Sequence, residues 1–547
     1  MQFRSAVPPS DTQVNTRWLH QELMGRHEIA LIDVREAKVF AQGHINLSSH
    51  QALSSLEVQI PRTVPRTSVP IVIVDDEGKE LAHDAQDRLR SLGYVDVRIL
   101  AGGIAAWAAG GYALGTGYNT LVKAFADLAH ARYGTPTITP AQLQGRLDRG
   151  QPTTLIDCRP AHEHQNLSLA GARNAAGVEL ALHDLHANAD PDHLWVVSCF
   201  SRTRGIVGTT TLARLDRRAN VAFLEDGIMA AVLHGLPTGP GHSRAPPPAP
   251  FTAEDALRHQ AEGIVKQYGL RVIDRAQYLN FVAESAERTL YVFDVRPEAA
   301  YRQGHLPEAL SSPGGQLVMT YDVQVAVRGA RIILVDDAHL KRAAVTAFWL
   351  SHFDDAEIHI LPLDAPGSAA LAAASLPAEP DDVRQLAPEE AAARIADGLQ
   401  VVDVGPSLGF EQGHIPGARF VLRSAWPAWI AAHGAPEAVL FTSPDGLNAA
   451  YAASESRRLF GIDAYTVAGG TQAWRAAGLP IEVDYEPAQL LSPFDDDWGS
   501  PMRLKVQRDQ PFRDYLTWER GLGHSVPQDD TVRFRWLGPG AAEGAIS

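Results

Sequence analysis

One interval recurs along this chain and limits what it can fold into. Short apolar runs end in Asp33-Val34-Arg35, Asp157-Cys158-Arg159 and Asp294-Val295-Arg296, with Asp403-Val404-Gly405 as an imperfect fourth copy. From Asp33 to Asp75, from Asp157 to Cys199 and from Asp294 to Asp336 the step is 42 positions; from Asp403 to Ser443 it is 40. A glycine follows 28 positions after Asp75 (Gly103) and after Cys199 (Gly227), and 27 after Ser443 (Gly470). Repeats of this length are whole domains, not solenoid units. Inside each, apolar runs of four to seven residues alternate with amphipathic helical patterns, which predicts a parallel α/β sheet.

Length agrees with that count, since 547 residues at roughly 100 to 200 per domain make about three to five domains. The run Gly239 to Pro250, rich in proline and glycine, reads as a linker that divides the chain in half. A second break is Leu376-Pro377-Ala378-Glu379-Pro380. Helical connectors run from Leu121 to Tyr133 and from Ala253 to Tyr268, and Gly134 and Gly269 suit their C-caps. These marks predict units at 12–117, 135–241, 270–366 and 382–485, then a tail at 486–547 with a helix around Phe512 to Arg520.

Composition excludes several classes. Two cysteines cannot make a disulfide framework and fit a reducing compartment. A net charge of −16 argues against nucleic acid. No apolar run approaches the roughly 20 residues of a membrane span, and Met1 to Pro9 lacks a signal-peptide pattern, so the protein is expected to be soluble, cytoplasmic and free of membrane partners. His162-Glu163-His164 and His183-Asp184-Leu185-His186 lack metal-ligand spacing and read as solvated surface, as does the turn Asp495-Asp496-Asp497. Neither a metal nor another cofactor is expected.

Cys199 closes the apolar run Leu194-Trp195-Val196-Val197-Ser198 and opens the loop Cys199-Phe200-Ser201-Arg202-Thr203-Arg204, with a helical pattern from Gly205 to Leu215. The thiol is thus predicted between a buried strand and a helix N-terminus, where unpaired N–H groups, the helix dipole and two arginines favour a thiolate. The equivalent loops begin with Asp75, Asp336 and Ser443 and carry no thiol. Ser443 without a base is a poor nucleophile, so those units read as scaffold, docking or regulatory modules. Cys158 takes a slot that valine fills in two other repeats and reads as a core residue.

Together, Leu31 to Arg35, Gly43-His44-Ile45, Gly413-His414-Ile415-Pro416-Gly417-Ala418, Ala101 to Trp107 and Ala468 to Trp474 make the chain resemble the rhodanese family of sulfurtransferases from about residue 12 to 485. The resemblance implies four tandem rhodanese-like domains, each a small doubly wound parallel sheet flanked by helices, with a six-residue active-site loop that starts at cysteine. Only the second repeat keeps that cysteine. It departs from the family form by Arg202 in the loop's fourth position and by Leu167 to Ala172 in place of the Gly-His-Ile signature.

The family chemistry implies that Cys199 is the nucleophile. It would take sulfur from a small anionic donor such as thiosulfate, hold it as a persulfide and pass it to a thiol, cyanide or a protein acceptor. Arg204 is then expected to bind the substrate anion with help from Arg202, while Phe200, Ser201 and Thr203 line the site. Arg159 stands near the pocket or in a structural salt bridge, and Asp157 holds a loop. Two alternatives compete. A cysteine-dependent phosphatase or arsenate reductase usually places arginine six positions after cysteine, and here Arg204 comes after five. A non-catalytic persulfide sensor or scaffold would fit the three thiol-free copies.

Overall fold

The computed structural model describes residues 12–185, 190–216, 220–242, 250–353, 356–363, 379–504, 506 and 508–538. Linker residues 243–249, the break at 376–378 and His186 lie outside them. The apolar runs form strands because they are covered on both faces: every residue of Ile29–Asp33 and Ile71–Val74 is buried. Four sheets result. The second consists, in spatial order, of Thr137–Ile138, Val221–Leu224, Leu194–Ser198, Thr153–Asp157 and Arg173–Asn174, all parallel. The third and fourth repeat that order with five parallel strands each. The first does so too and gains an antiparallel edge strand, Val327–Arg328, from the third unit, with Val327 opposite Ala30. Among the described residues no helix is long and apolar enough to cross a membrane.

The units are fused rather than strung out. One hydrophobic core runs through Ile32 and Ile73 of the first, Phe125 of the connector helix Thr120–Tyr133, Leu334 and Trp349 of the third, and Leu522 of the tail. The second unit meets the third where Gly177 and Gly315 approach so closely that a Cβ on Gly315 would stand 2.3 Å from the Gly177 Cα. Trp349 Nε1 donates to Thr211 Oγ1 at 2.9 Å across the same seam, and Arg342 pairs with Glu179 at 2.5 Å. The fourth unit is tied to the first through Glu57, which meets Arg423 and Arg88, and through the Arg88–Glu455 pair at 2.8 Å. These partly buried pairs fix orientation more than they add stability.

The recurring sequence marks have structural causes. In Asp33/Arg35, Asp157/Arg159 and Asp294/Arg296 the arginine folds back onto the aspartate two residues earlier, with Nη2–Oδ2 distances of 2.7, 2.7 and 2.6 Å, and the carboxylate is fully buried. Each pair locks the turn leaving its strand. The downstream glycines lie against the loop: a Cβ on Gly103, Gly227 or Gly470 would fall within 2.1 to 2.4 Å of the carbonyl oxygen of Asp75, Cys199 or Ser443. All three also adopt positive φ.

Candidate active site

Strand Leu194–Ser198 runs between two neighbours and delivers Cys199 to the carboxyl edge of the sheet, where open α/β sheets place their sites. Helix Thr203–Thr210 starts four residues later. Ile228 and Met229 N–H groups bind the Cys199 and Phe200 carbonyls at 2.9 and 3.0 Å and clamp the loop from below. The Gly205 backbone lies beside the sulfur, and its N–H favours the thiolate.

The loop's polar groups divide between the thiol and its surroundings. Arg204 is buried beside the thiol and donates from Nη1 and Nη2 to Glu163 Oε1 and Oε2 at 2.6 and 2.8 Å. Gln316 of the third unit lies 3.5 Å from Nη1. The expectation that Arg202 helps bind the substrate anion is not matched by its geometry. Its Nε and Nη2 donate to Asp127 at 2.8 and 2.6 Å and its Nη1 to Asp226 at 2.8 Å, so two carboxylates hold the whole fork. Arg159 is likewise committed to Asp157 and to the Leu167 carbonyl, and reaches the loop through its guanidinium, 5.7 Å from the Phe200 ring centroid. Its salt bridge is structural, and its charge still favours the Cys199 thiolate.

What the sequence did not disclose is the cover. Tail helix Asp509–Ser525 presents Phe512, Leu516, Glu519 and Leu522 as its buried face. Phe512 and Leu516 pack with Phe200 and Met229, with the Phe200 and Phe512 rings edge to face at 5.7 Å. Glu519 and Tyr515 lie beside Ser201, and Thr203 Oγ1 lies 3.4 Å from Glu519 Oε1. Ser201 and Thr203 thus face the tail. The spacing of apolar residues on that helix was the available signal, but it does not say which surface the helix covers.

Enclosure changes the electrostatics expected of the loop. Cys199 is 2 % exposed, and burial pushes its thiol up to about 11. Arg204 and the Gly205 N–H oppose the rise, and Glu519 adds to it. The thiolate predicted from the strand-to-helix position is therefore disfavoured in this closed arrangement, because desolvation outweighs the arginine and the helix terminus. Burial also holds the Glu519 carboxyl up at about 7, against the pull of Lys123. Burial brings that lysine down to about 8, against Glu519 and Asp322. Cys158 is buried in the same small core as Cys199, with no disulfide between them.

In the thiol-free units the loop's own side chain fills the place of an anion. The Asp75 carboxylate accepts from the backbone N–H groups of Glu77, Gly78, Lys79 and Ala82. Asp336 accepts from Asp337 N–H at 2.8 Å and Ala343 N–H at 3.0 Å. Ser443 Oγ accepts from Ala449 N–H at 3.2 Å.

Three sequence readings of polar clusters need correction. His164 is 1 % exposed and bonded to the Ala172 carbonyl, and Glu163 holds Arg204, so His162-Glu163-His164 is not a solvated surface run. His183 is also buried and stacks on Phe251. Asp495, Asp496 and Asp497 each hold a partner: Lys38, the Ser407 N–H and Arg503. Among the described residues, Asp336, Asp337 and His339 are close enough to share a cation, and the Arg342 guanidinium already fills that role at 3.4, 3.1 and 3.0 Å.

Comparison with known proteins agrees with this architecture. The family model described as Rhodanese-like domain matches residues 16–110, 139–233 and 387–477. A crystal structure of a thiosulfate sulfurtransferase from Pseudomonas aeruginosa is 32% identical, covers 96% of this chain and 100% of its own, and superposes with a TM-score of 0.88. The thiosulfate sulfurtransferase GlpE of Stutzerimonas stutzeri (strain A1501) is 28% identical over 108 residues, 20% of this chain and 98% of that protein. The chain belongs to the rhodanese-like family, with its domains repeated in tandem.

Proposed function

We propose that this chain is a sulfurtransferase with one working site, at Cys199 of the second unit. The observation that carries the reading is that Cys199 alone among the four loop-opening residues is a thiol, with the Gly205 backbone and Arg204 beside its sulfur. In the reaction the Cys199 thiolate attacks the outer sulfur of thiosulfate. The S–S bond breaks, sulfite leaves with the electron pair, and a cysteine persulfide remains. A thiolate or cyanide then attacks the terminal sulfur and regenerates the Cys199 thiolate. The Gly205 N–H and Arg204 stabilise the negative sulfur at each stage. The tail helix must withdraw for donor to enter, and the hydration that follows lowers the thiol pKa from its closed-state value.

The position of Arg204, five residues after Cys199 rather than six, weighs against a phosphatase or arsenate reductase, whose loop is one residue longer. The burial of Cys199 favours one second reading, a persulfide sensor that loads once and does not turn over. One experiment separates them. Intact-mass spectrometry after thiosulfate treatment should show one added sulfur on Cys199, and added cyanide should remove it with repeated turnover. A sensor would load without sustained thiocyanate formation, and no added sulfur on Cys199 would overturn both.

A further inference from the structure

A cavity of about 490 Å³ lies between the first and fourth units, roofed by Trp498 of the tail. Its size falls within the range of small-molecule sites. The Ser443 to Asn448 loop, the fourth unit's counterpart of the Cys199 loop, forms part of its wall, with Glu36 and Tyr118 facing from the first unit's side.

Among the described residues, the charged groups lining the cavity, Glu36, Asp445 and Asp496, are all acidic, and no lysine or arginine lines it. Glu36 accepts from Ser424 Oγ at 2.8 Å and Ser54 Oγ at 3.2 Å, and Asp496 Oδ2 accepts from the Ser407 N–H at 2.7 Å. These partners are neutral. Burial raises the Glu36 carboxyl above its usual range, and Asp496 raises it further, so the two carboxylates repel across the cavity. His50 supplies no compensating charge: burial lowers its pKa, and its nitrogens are bonded to the Tyr118 hydroxyl at 2.9 Å and the Arg35 carbonyl at 2.8 Å. Lys123 stands 5.4 Å from the Trp498 ring centroid but does not line the cavity.

Two further acceptors of the lining residues are closed off behind the wall. Asp496 Oδ1 and Asn448 Oδ1 are buried without a hydrogen-bond partner, while the Asn448 amide nitrogen is fixed on the Val404 carbonyl at 2.6 Å. Helix Leu447–Phe460 does not restore an anion site, because the Leu447 N–H donates to Asp445 Oδ1 at 3.0 Å and the Ala449 N–H to Ser443 Oγ. A cavity lined by carboxylates without a matching cation suits a ligand that brings positive charge and N–H donors. Its volume is too great for a bare metal ion. Tyr118 and Trp498, stacked at 6.1 Å, offer apolar walls for a carbon skeleton.

We propose that the cavity between the first and fourth units is a binding site for a small organic ammonium compound, held by the negative charge of Glu36 and Asp496. The site is separate from Cys199 and does not depend on sulfur transfer. Isothermal titration of the full chain with putrescine should show saturable one-site binding. Glu36→Gln and Asp496→Asn should each weaken it at least tenfold, and Cys199→Ser should leave it unchanged. Because these variants remove like-charge repulsion, they should fold, and circular dichroism checks this. Tetramethylammonium, which has charge without N–H donors, should bind at least tenfold more weakly than putrescine. Absence of putrescine binding, equal binding by folded Glu36→Gln and Asp496→Asn, or magnesium chloride competing at equal concentration would overturn the proposal.

Discussion

Glu163 grips the Arg204 guanidinium with both carboxylate oxygens, at 2.6 and 2.8 Å, and so limits how much positive field reaches the Cys199 sulfur. Arg204 is the strongest influence opposing burial at that thiol. Glu163→Gln should therefore lower the Cys199 pKa and speed its alkylation at pH 8. It should also cost about 3 kcal/mol of stability, because a buried charge loses its partner. Arg204→Ala should act oppositely on the thiol and raise the thiosulfate KM, with Arg204→Lys recovering part of the loss because a point charge cannot reproduce the fork. Alkylation rates, steady-state kinetics and urea unfolding check these outcomes; unchanged thiol reactivity in both Glu163→Gln and Arg204→Ala would refute the coupling.

Cys199→Ser is expected to abolish sulfur loading and transfer while keeping the fold. Cys158→Val should keep activity near wild type, because Cys158 is packed in the core beneath helix Thr203–Thr210, where a Cβ on Gly208 would meet its sulfur at 3.9 Å. Mass spectrometry and turnover assays read both. Sulfur loading on the Cys199→Ser variant would remove the nucleophile assignment.

Glu519 makes stability depend on pH in a defined window. Burial holds its carboxyl at about 7 in the folded chain, against an ordinary value of 4.5. Between those values the folded state binds a proton that the unfolded state has released, so stability falls as pH rises from about 4.5 to 7 and the loss is complete above that. Asp403, held up at about 7 by burial, and Asp322, at about 6 for the same reason, act in the same direction. Glu519→Gln removes one of these contributions. Its Tm relative to wild type should rise between pH 5 and pH 8, and a difference independent of pH would contradict the assignment.

The repeat architecture was legible because its physical causes are local and periodic. Asp33, Asp157 and Asp294 each pair with an arginine two residues on, and Gly103, Gly227 and Gly470 touch the carbonyl of the loop-opening residue, so a fixed geometry imposes fixed spacing. The placement of Cys199 was legible for the same reason: strand end, loop and helix are contiguous. The roles of Glu163, Asp127 and Glu519 were not, because they reach the loop from 36 to 320 residues away and depend on how units pack. The sequence shows that Arg202 and Arg204 flank Cys199 but not that three carboxylates occupy their forks.

Phe512 fixes the tail helix over the loop through Phe200. Phe512→Ala should cost about 3 kcal/mol or more of local packing and free the helix more readily than the rest of the chain. Iodoacetamide should then modify Cys199 faster, while Cys158, enclosed by the second unit's own core, stays protected. Peptide mapping distinguishes the two cysteines, and equal protection of Cys199 in the variant and wild type would show that the tail does not control access.

A fragment spanning about Gly134 to Gly241 contains the strand, loop and helix of the site, yet it should be less stable and less active than the full chain. It lacks Asp127, which holds Arg202, and Gln316, which lies by Arg204. It also lacks Glu519, Tyr515 and Phe512, which cover Ser201 and Phe200. The Trp349 to Thr211 hydrogen bond and the Arg342–Glu179 pair are cut as well, so the face around Gly177 becomes solvent-exposed. Removing the cover also hydrates the thiol, and that change alone would raise its reactivity. The two effects separate in kinetics. Alkylation of Cys199 should be faster in the fragment, whereas thiosulfate kcat/KM should fall because Arg202 loses Asp127 and Arg204 loses Gln316, which loosens the loop around the thiol. Equal Tm and equal kcat/KM for fragment and full chain would show that the neighbouring units contribute nothing to the site.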